Sequence, residues 1–567
     1  MDQRTTDVTT GGGPNTGASG SGGGAPRFEA PGPGSWMLDT THHGRRPVTA
    51  YLQPSYAAAM ATGMPRLFEA YGLPLAEARA AFVEGCLYVR MLGVGEPEGG
   101  GSPPPTPVLW ALSRLHPVLR RRKRAAAAAL AGRRWRQEVD EWFDVDRADV
   151  VSANVALQRV DLGALDDAAL IAHLEACTAH FGQTSVDGFV HHGGDLVPIG
   201  LYLAACSDWG IDAATAASLL RGASPATLAT ERLLAPAAAA IAAAPAPPTS
   251  VDEVRALGPD AARAVDEWLE QHGWRLLTSD DLDAPTLAER PDLQLRALLG
   301  ARGDAPDGAA GGGPDPASVR QQVPAGHRAT FDERLAEARY GLRLRDDHVG
   351  VRWNWPAGLV RRALLEVGRR LGERGGAHDP CHAVELAPDE VADALAGGGP
   401  GRDALAARRA RRDAVEAAGP PSHLGDDATP PPVAAMPGPL ATMAGAVLAS
   451  ISAMEAAPER PDLAGTGVGG RAYRGRACVA RSAVEALDAL EPDDVLVVPL
   501  TSPSYDALFP LVGAVVTEEG GPLSHAAIMA REFEVPAVVG VAGATGRVPH
   551  GASVEVDPVA GRVTVLP

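Results

Sequence analysis

Residues 517–540 read TEEGGPLSHAAIMAREFEVPAVVG, and this stretch decides how the last hundred residues fold. A β-branched run, Ala514-Val515-Val516-Thr517, leads into Glu518, Glu519 and the pair Gly520-Gly521. Ser524 and His525 follow, and then Ala526–Glu532, mostly good helix formers. The pattern is strand, glycine turn, helix, with Ser524 as N-cap and His525 in the first helical turn. A helix end of this kind favours an anion. The glycines let backbone approach that anion closely. A neutral imidazole there is a nucleophile suited to phosphorus, and Arg531 offers a cation to a transferred phosphoryl group. On the residues alone, a surface or capping histidine is the commoner occupant of such a position.

Working outward, short β-like runs flank this stretch at 476–482, 494–500, 513–519 and 536–541. A hairpin is expected within 553–566, turning around Pro558–Gly561, and helical pieces near Tyr505–Val512 and Ser524–Phe533. Residues 465–567 therefore read as a compact α/β domain. Upstream the texture is different. Residues 35–418 read as mainly α-helical, with expected helices at 74–92, 169–190, 262–277, Phe331–Leu344 and Ala357–Leu371. The stretch RLRDDHVGVRWNW (343–355) is taken as a connection between the last two. The Gly/Pro/Ser/Thr-rich residues 1–34 read as disordered and 301–322 as a flexible insert. Residues 419–464 begin Pro-rich and polar and read as a linker and hinge. The expected fold class is multidomain: a mainly helical central region and a C-terminal α/β domain.

The 517–540 stretch closely resembles the phosphohistidine, or swivelling, domain of phosphoenolpyruvate-utilising enzymes, which include pyruvate phosphate dikinase, phosphoenolpyruvate synthase and the rifampin phosphotransferases. The elements that match are Thr517, Gly520, Gly521, Ser524, His525, Ala530, Arg531 and Pro536–Gly540. VLVVPLTSP upstream, containing Thr501, and the closing VEVDPVAGRVTVL are also similar, so the resemblance covers roughly 467–566. It implies a β/β/α mobile domain whose His525 carries a phosphoryl group, with Gly520, Gly521, Ser524, Arg531 and Thr517 around the phosphate. Dikinases have a regulatory threonine two residues before the histidine. Leu523 stands here, so control at that position is not expected. A weaker similarity covers SWMLDTTHHGRRPVTAYL (35–52), HHGGDLVPIGLYLAACSDWG (191–210), LEQHGWRLLTSDDLDAPTLAERP (269–291) and ARYGLRLRDDHVG (338–350). These look like the acceptor-binding region of rifampin-phosphotransferase-like proteins, and imply that the helical region holds a small-molecule acceptor.

In that family an ATP-grasp domain usually charges the histidine, using a Gly-rich loop and lysines. No such loop and no GxxxxGK[ST] motif is seen, and the one lysine, Lys123, sits in the run RRRKR (120–124), which reads as a solvated face. The expectation is a separate ATP-grasp partner that binds ATP, or a phosphoenolpyruvate-binding one, with Mg2+ at its donor site. The alternative is a non-catalytic scaffold that keeps the fold.

Within the helical region His191, His192 and Arg345 are acceptor-site candidates, as are His42-His43. Surface or capping roles are the plainer reading of the histidines, and a salt-bridge network that of Arg345-Asp346-Asp347. Trp36, Trp209, Trp268, Trp274, Trp353 and Trp355 read as core anchors. The chain has 567 residues, enough for three to five domains on ordinary domain sizes, and a formal charge of −19, which argues against nucleic acid and anionic membrane as partners. Five dispersed cysteines without CxxC spacing read as free thiols and give no metal site. No secretory h-region is present near the N-terminus, so a cytoplasmic location is expected.

Overall fold

The computed structural model describes residues 24–39, 45–97, 106–277, 281–301, 315–426, 433–455, 462–481, 483–501, 505 and 508–566. Among these described residues, eleven strands form two sheets. The first contains β1 (Ser35–Leu38), β2 (Leu75–Val83), β3 (Cys86–Gly93) and β4 (His423–Gly425) in the antiparallel order β2-β3-β1-β4. The second contains β5 (Thr466–Val468), β6 (Tyr473–Val479), β7 (Val495–Val498), β8 (Ala514–Thr517), β9 (Ala537–Val539), β10 (Ser553–Asp557) and β11 (Arg562–Val565).

Its order is β11-β10-β6-β7-β8-β9-β5, with β6 to β9 parallel and the flanking strands antiparallel. Parallel strands covered on both faces should be apolar throughout, and all four residues of β7 (VLVV) and of β8 (AVVT) are buried. One face packs Val495, Val497, Val516, Val538, Val554 and Val556 together. The two sheet edges meet, because Ala464 bridges Arg562 and the Gly465 amide donates to the Gly561 carbonyl at 2.9 Å. The hairpin expected around Pro558–Gly561 is β10–β11. The helical piece expected near 505–512 is a 3-10 turn, Phe509–Leu511.

The rest of the chain is built mainly on helices. Those that position the site are α1 (Gln53–Ala70), α2 (Asp167–Val190), α3 (Gly193–Asp208), α4 (Arg328–His348), α5 (Trp355–Glu373) and α6 (Gly438–Met454). Helix α3 is nearly all buried, with α4 on one side and α6 on another. Small residues allow this. A Cβ on Gly200 would lie 1.7 Å from the Ala446 carbonyl oxygen, and one on Gly341 would lie 2.7 Å from the Gly194 carbonyl oxygen.

Several sequence expectations are corrected. Residues 74–92 are not a helix but the β2–β3 hairpin. Glu84 and Gly85, with φ of 52° and 82°, make the tight turn that an Ala- and Leu-rich stretch concealed. Residues 343–355 are not a connection. A π-helical segment, Val349–Asn354, joins α4 to α5 in one continuous helix, so its side chains enter the core. Residues 438–454, expected within the linker, form α6, whose apolar residues Leu440, Met443 and Ala446 are buried in the helical body, and 423–425 form β4. Residues 24–34 of the expected disordered stretch lie beside the first sheet, where the Arg27 amide donates to Glu84 at 3.0 Å. Pro316–Gln322, expected in the flexible insert, is a helix capped by Asp315, while residues 302–314 lie outside the described residues.

The C-terminal sheet domain shares a core with the helical region. Leu496, Val498, Val515 and Phe509 belong to the same apolar cluster as Trp268, Leu277, Leu293 and Leu298. Polar contacts flank it: Arg290 pairs with Asp488 at 3.0 Å, Arg45 with Glu519 at 2.8 Å, and Arg221 with Glu534. No helix among the described residues is long and apolar enough to cross a membrane.

Candidate active site: the His525 loop and a buried histidine–arginine cluster

The loop bearing His525 leaves the carboxyl end of β8, where open α/β sheets place ligands. Its start is pinned by backbone. The Glu518 and Glu519 amides donate to the Val498 and Pro499 carbonyls at 3.1 and 2.9 Å. Thr517 Oγ1 donates to the Glu519 carbonyl at 2.7 Å, so this buried hydroxyl shapes the turn. Glu518 accepts from the Thr545 amide and hydroxyl at 2.7 and 2.5 Å. Gly520 has φ of 105°, which favours glycine, and a Cβ there would lie 2.7 Å from Ser524 Cβ.

The loop then opens helix α7 (His525–Glu532). Ser524 is its N-cap, with Oγ accepting from the Ala527 amide at 3.4 Å, so the expected cap geometry is present. His525 is the first helical residue and half-buried, with the Phe509 ring edge-on at a centroid distance of 6.1 Å. Arg531 lies six positions further along α7. At about 100° per residue it faces roughly 120° away from His525. The structure does not bring these two together on one helix face, and burial lowers the Arg531 guanidinium to about 10.

Two further backbone bonds dock the loop on the helical body. The Gly521 amide donates to the Met454 carbonyl at 2.9 Å and the Leu523 amide to the Ala453 carbonyl at 2.8 Å. Both acceptors are at the C-terminal end of α6, whose last carbonyls have no partner within the helix. Helix α6 runs antiparallel to α3, since Ser450 Oγ donates to the Leu196 carbonyl at 2.7 Å while Ala446 lies against Gly200. One turn beyond Ser450, Met454 therefore reaches toward the start of α3, where His192 is the capping residue.

That start carries a buried polar cluster. Asp195 accepts from Arg345 Nε at 2.7 Å and meets His192 Nδ1 at 3.5 Å. The Arg345 guanidinium and its hydrogen bond hold the buried Asp195 carboxyl down at about 2, against the upward push of burial, which is the largest single influence. Arg352 donates to His191 Nδ1 at 2.8 Å, which assigns the ring proton of a neutral His191 to Nε2. Burial, with Arg352 beside it, lowers His191 to about 4. Arg352 also pairs with Asp146 at 3.1 Å and lies over the Trp142 ring at 4.2 Å. Trp142 Nε1 donates to Asp347 at 2.8 Å, and Arg147 pairs with the same carboxylate at 2.7 Å. Trp142 meets His348 edge-on at 4.9 Å, and burial pushes His348 well below its ordinary value.

The sequence candidates His191, His192 and Arg345 thus stand in one cluster, and Arg345 and Asp347 do belong to an ion-pair network. Sequence reading missed His348, Arg352, Asp195 and Asp146 as members. The signal was present in HHGGD, where Asp195 follows His192 by one helical turn, and in the 343–355 stretch read as a connection. Two π-helical segments, Trp142–Asp146 and Val349–Asn354, border the cluster, and such irregularities concentrate at functional sites. His42 and His43 lie outside the described residues.

Comparison with known proteins agrees with this geometry. Residues 490–561 match the family described as PEP-utilising enzyme, mobile domain. A rifampicin phosphotransferase of Streptomyces sviceus is 28% identical over 323 residues, covering 54% of this chain and 35% of that protein. An uncharacterized phosphotransferase of Bacillus subtilis, YvkC, is 31% identical over 42% of this chain and 28% of its own length. A phosphoenolpyruvate synthase of Aeropyrum pernix is 45% identical over 83 residues, 15% of this chain and 10% of that one. These matches span about a third or less of each relative's length. The fold, the loop and the similarities together place the C-terminal domain of this chain in the phosphoenolpyruvate-utilising enzyme family, as its mobile domain.

Proposed function

We propose that this chain is the carrier and acceptor part of a phosphotransferase. His525 takes a phosphoryl group at a donor site and delivers it to a small molecule held by the helical region. The observation that carries this reading is the docking of the Gly520–His525 loop on the last carbonyls of α6, a helix that packs antiparallel against α3, whose first turn bears Asp195 and its partner Arg345. Phosphoryl transfer needs in-line placement and charge neutralisation more than covalent chemistry from the protein. A loop with two glycines and a capped helix start supplies the first, and the arginine-rich cluster at the start of α3 supplies the second. Thr517, Gly520, Gly521 and Ser524 shape the loop round the phosphoryl group. Arg531, on another face of α7, contributes charge at longer range.

The donor is ATP or phosphoenolpyruvate, bound with Mg2+ on a separate ATP-grasp or phosphoenolpyruvate-binding protein. The carrier domain, residues 465–567, reaches that partner by swivelling about the segment between the end of α6 and β5. Incubating the chain with such a partner and labelled donor should give an acid-labile, base-stable label on the wild type and none on His525→Ala. Wild-type protein that takes no label from any such donor would leave a non-catalytic scaffold as the function.

A further inference from the structure

The junction of α2, α3 and α4 contains buried side-chain nitrogens that no described residue satisfies. Arg345 spends only Nε on Asp195; its Nη1 and Nη2 are buried and have no partner among the described residues. His348 is 3% exposed, and its Nε2 is buried and likewise without a partner. The two residues are three apart on α4, so both side chains leave the same face of that helix. Leaving a buried polar atom unsatisfied is costly, and native proteins rarely do so. Here three such atoms lie on one face of α4. Among the described residues, Asp195, Asp347 and Asp146 are already paired with Arg345, Arg147 and Arg352.

We infer that the Nη edge of Arg345 and Nε2 of His348 form an oxyanion-binding site, and that the acceptor carries a carboxylate or phosphate group besides the group that is phosphorylated. The second part rests on the proposed function; the binding site itself does not. A planar guanidinium edge matches two oxygens of either group, and His348 Nε2–H supplies a third bond. Arg352, which faces the same rings, is held by His191 and Asp146 and acts as the neighbour that keeps the site positive. Such a group would anchor one end of the acceptor in the helical body and leave its other end toward the α6 dock.

The test titrates inorganic phosphate, and separately acetate, into the full chain carrying His525→Ala, by calorimetry. The expected result is saturable binding that weakens about tenfold or more in Arg345→Gln, as for the loss of a charge-assisted pair. Arg345→Lys should recover part of it. The ratio of phosphate to acetate affinity tells which oxyanion the site takes. If Arg345→Gln fails to fold, 15N-histidine spectra of the otherwise unaltered chain serve instead: the His348 Nε2 resonance should move with the titration. No saturable binding of either anion, equal binding by Arg345→Gln, or an unmoved His348 resonance overturns the site. A chain that binds phosphate here but never labels at His525 keeps the site and loses the carrier reading, while the opposite result loses only the site.

Discussion

Replacing Gly521 with alanine should undock the carrier loop and leave the rest of its domain intact. A Cβ at this position would lie 2.2 Å from the Glu455 carbonyl oxygen and 2.6 Å from that of Ala453. Both are backbone atoms at the end of α6 and cannot rotate aside, so the loop must lift. Lifting breaks the Gly521–Met454 and Leu523–Ala453 bonds of 2.9 and 2.8 Å. At about 0.5–1.5 kcal/mol each, the dock loses roughly 1–3 kcal/mol, or about 5- to 150-fold in its closing equilibrium. Leu523, 1% exposed, adds to this if its side chain leaves the cluster it shares with Ala453. Amide hydrogen exchange reads the effect without knowing the acceptor: peptides covering 518–528 should exchange faster by that factor, while β7 and β8 stay protected. On the proposed relay, in which the donor is met away from this dock, charging of His525 should be unchanged. Unaltered exchange in Gly521→Ala would refute the docking argument, and equal loss of exchange protection throughout 465–567 would show that the substitution unfolds the domain instead.

Gly520→Ala places a side chain at φ of 105° and 2.7 Å from Ser524 Cβ, so it should cost about 1–3 kcal/mol in the domain's stability and reduce labelling of His525, checked by thermal unfolding and label stoichiometry. Gly200→Ala sets a Cβ 1.7 Å from the Ala446 carbonyl oxygen; forcing α3 and α6 apart should cost about 1–3 kcal/mol or more, seen as a lower Tm of the helical region. His191 is lowered from 6.5 to about 4, so the unfolded chain takes up its proton first as pH falls. The stability gained by keeping it neutral is fully present above 6.5, and about 2–3 kcal/mol is lost toward pH 4. Denaturant midpoints should therefore fall over that window, and His191→Gln should flatten the slope without removing it, because buried His348 and His272 act in the same direction.

How much of this was legible in the sequence depends on the range of the interactions involved. The C-terminal domain was readable because its signals are local: β7 and β8 are uninterrupted apolar runs, Ser524 caps a short helix of good formers, and β10–β11 turn within four residues. The first sheet was not. Its strands β1 and β4 pair Trp36 with Leu424 across nearly the whole helical region, and β2 is written in alanine, leucine and arginine, which are helix formers. Only Glu84-Gly85 announced the hairpin. Helix α6 was hidden by the prolines before it, although 440–454 is strongly apolar. The extra residue of a π turn breaks the 3.6-residue period, so 349–354 showed no helical pattern and His348 and Arg352 were passed over. Of the site, His525 and its glycines were legible from motif and cap. The dock on Ala453 and Met454 was not, since backbone carbonyls at a helix end carry no side-chain signature.

The placement of the cluster follows from packing of small residues. Glycines at 194, 200 and 341 let α3, α4 and α6 approach closely, with Asp195 and Arg345 at the contact of α3 with α4 and the carrier loop on the end of α6. On the proposed reading the acceptor site belongs to the helical core, and the carrier domain meets that region through two loop–helix backbone bonds, surface ion pairs and a shared apolar cluster. Exposed pairs such as Arg45–Glu519 contribute little individually, which suits a contact that must form and break.

The most direct measurement of the central claim is peptide mass spectrometry at neutral to basic pH, on the full chain after incubation with an ATP-grasp or phosphoenolpyruvate-binding partner, its donor and Mg2+. The account predicts one added phosphoryl group on the peptide containing Ser524 and His525, located to His525, lost in acid and absent from His525→Ala. A phosphoryl group on Ser524 that survives acid, or an unmodified peptide from wild-type protein under every donor, would contradict it.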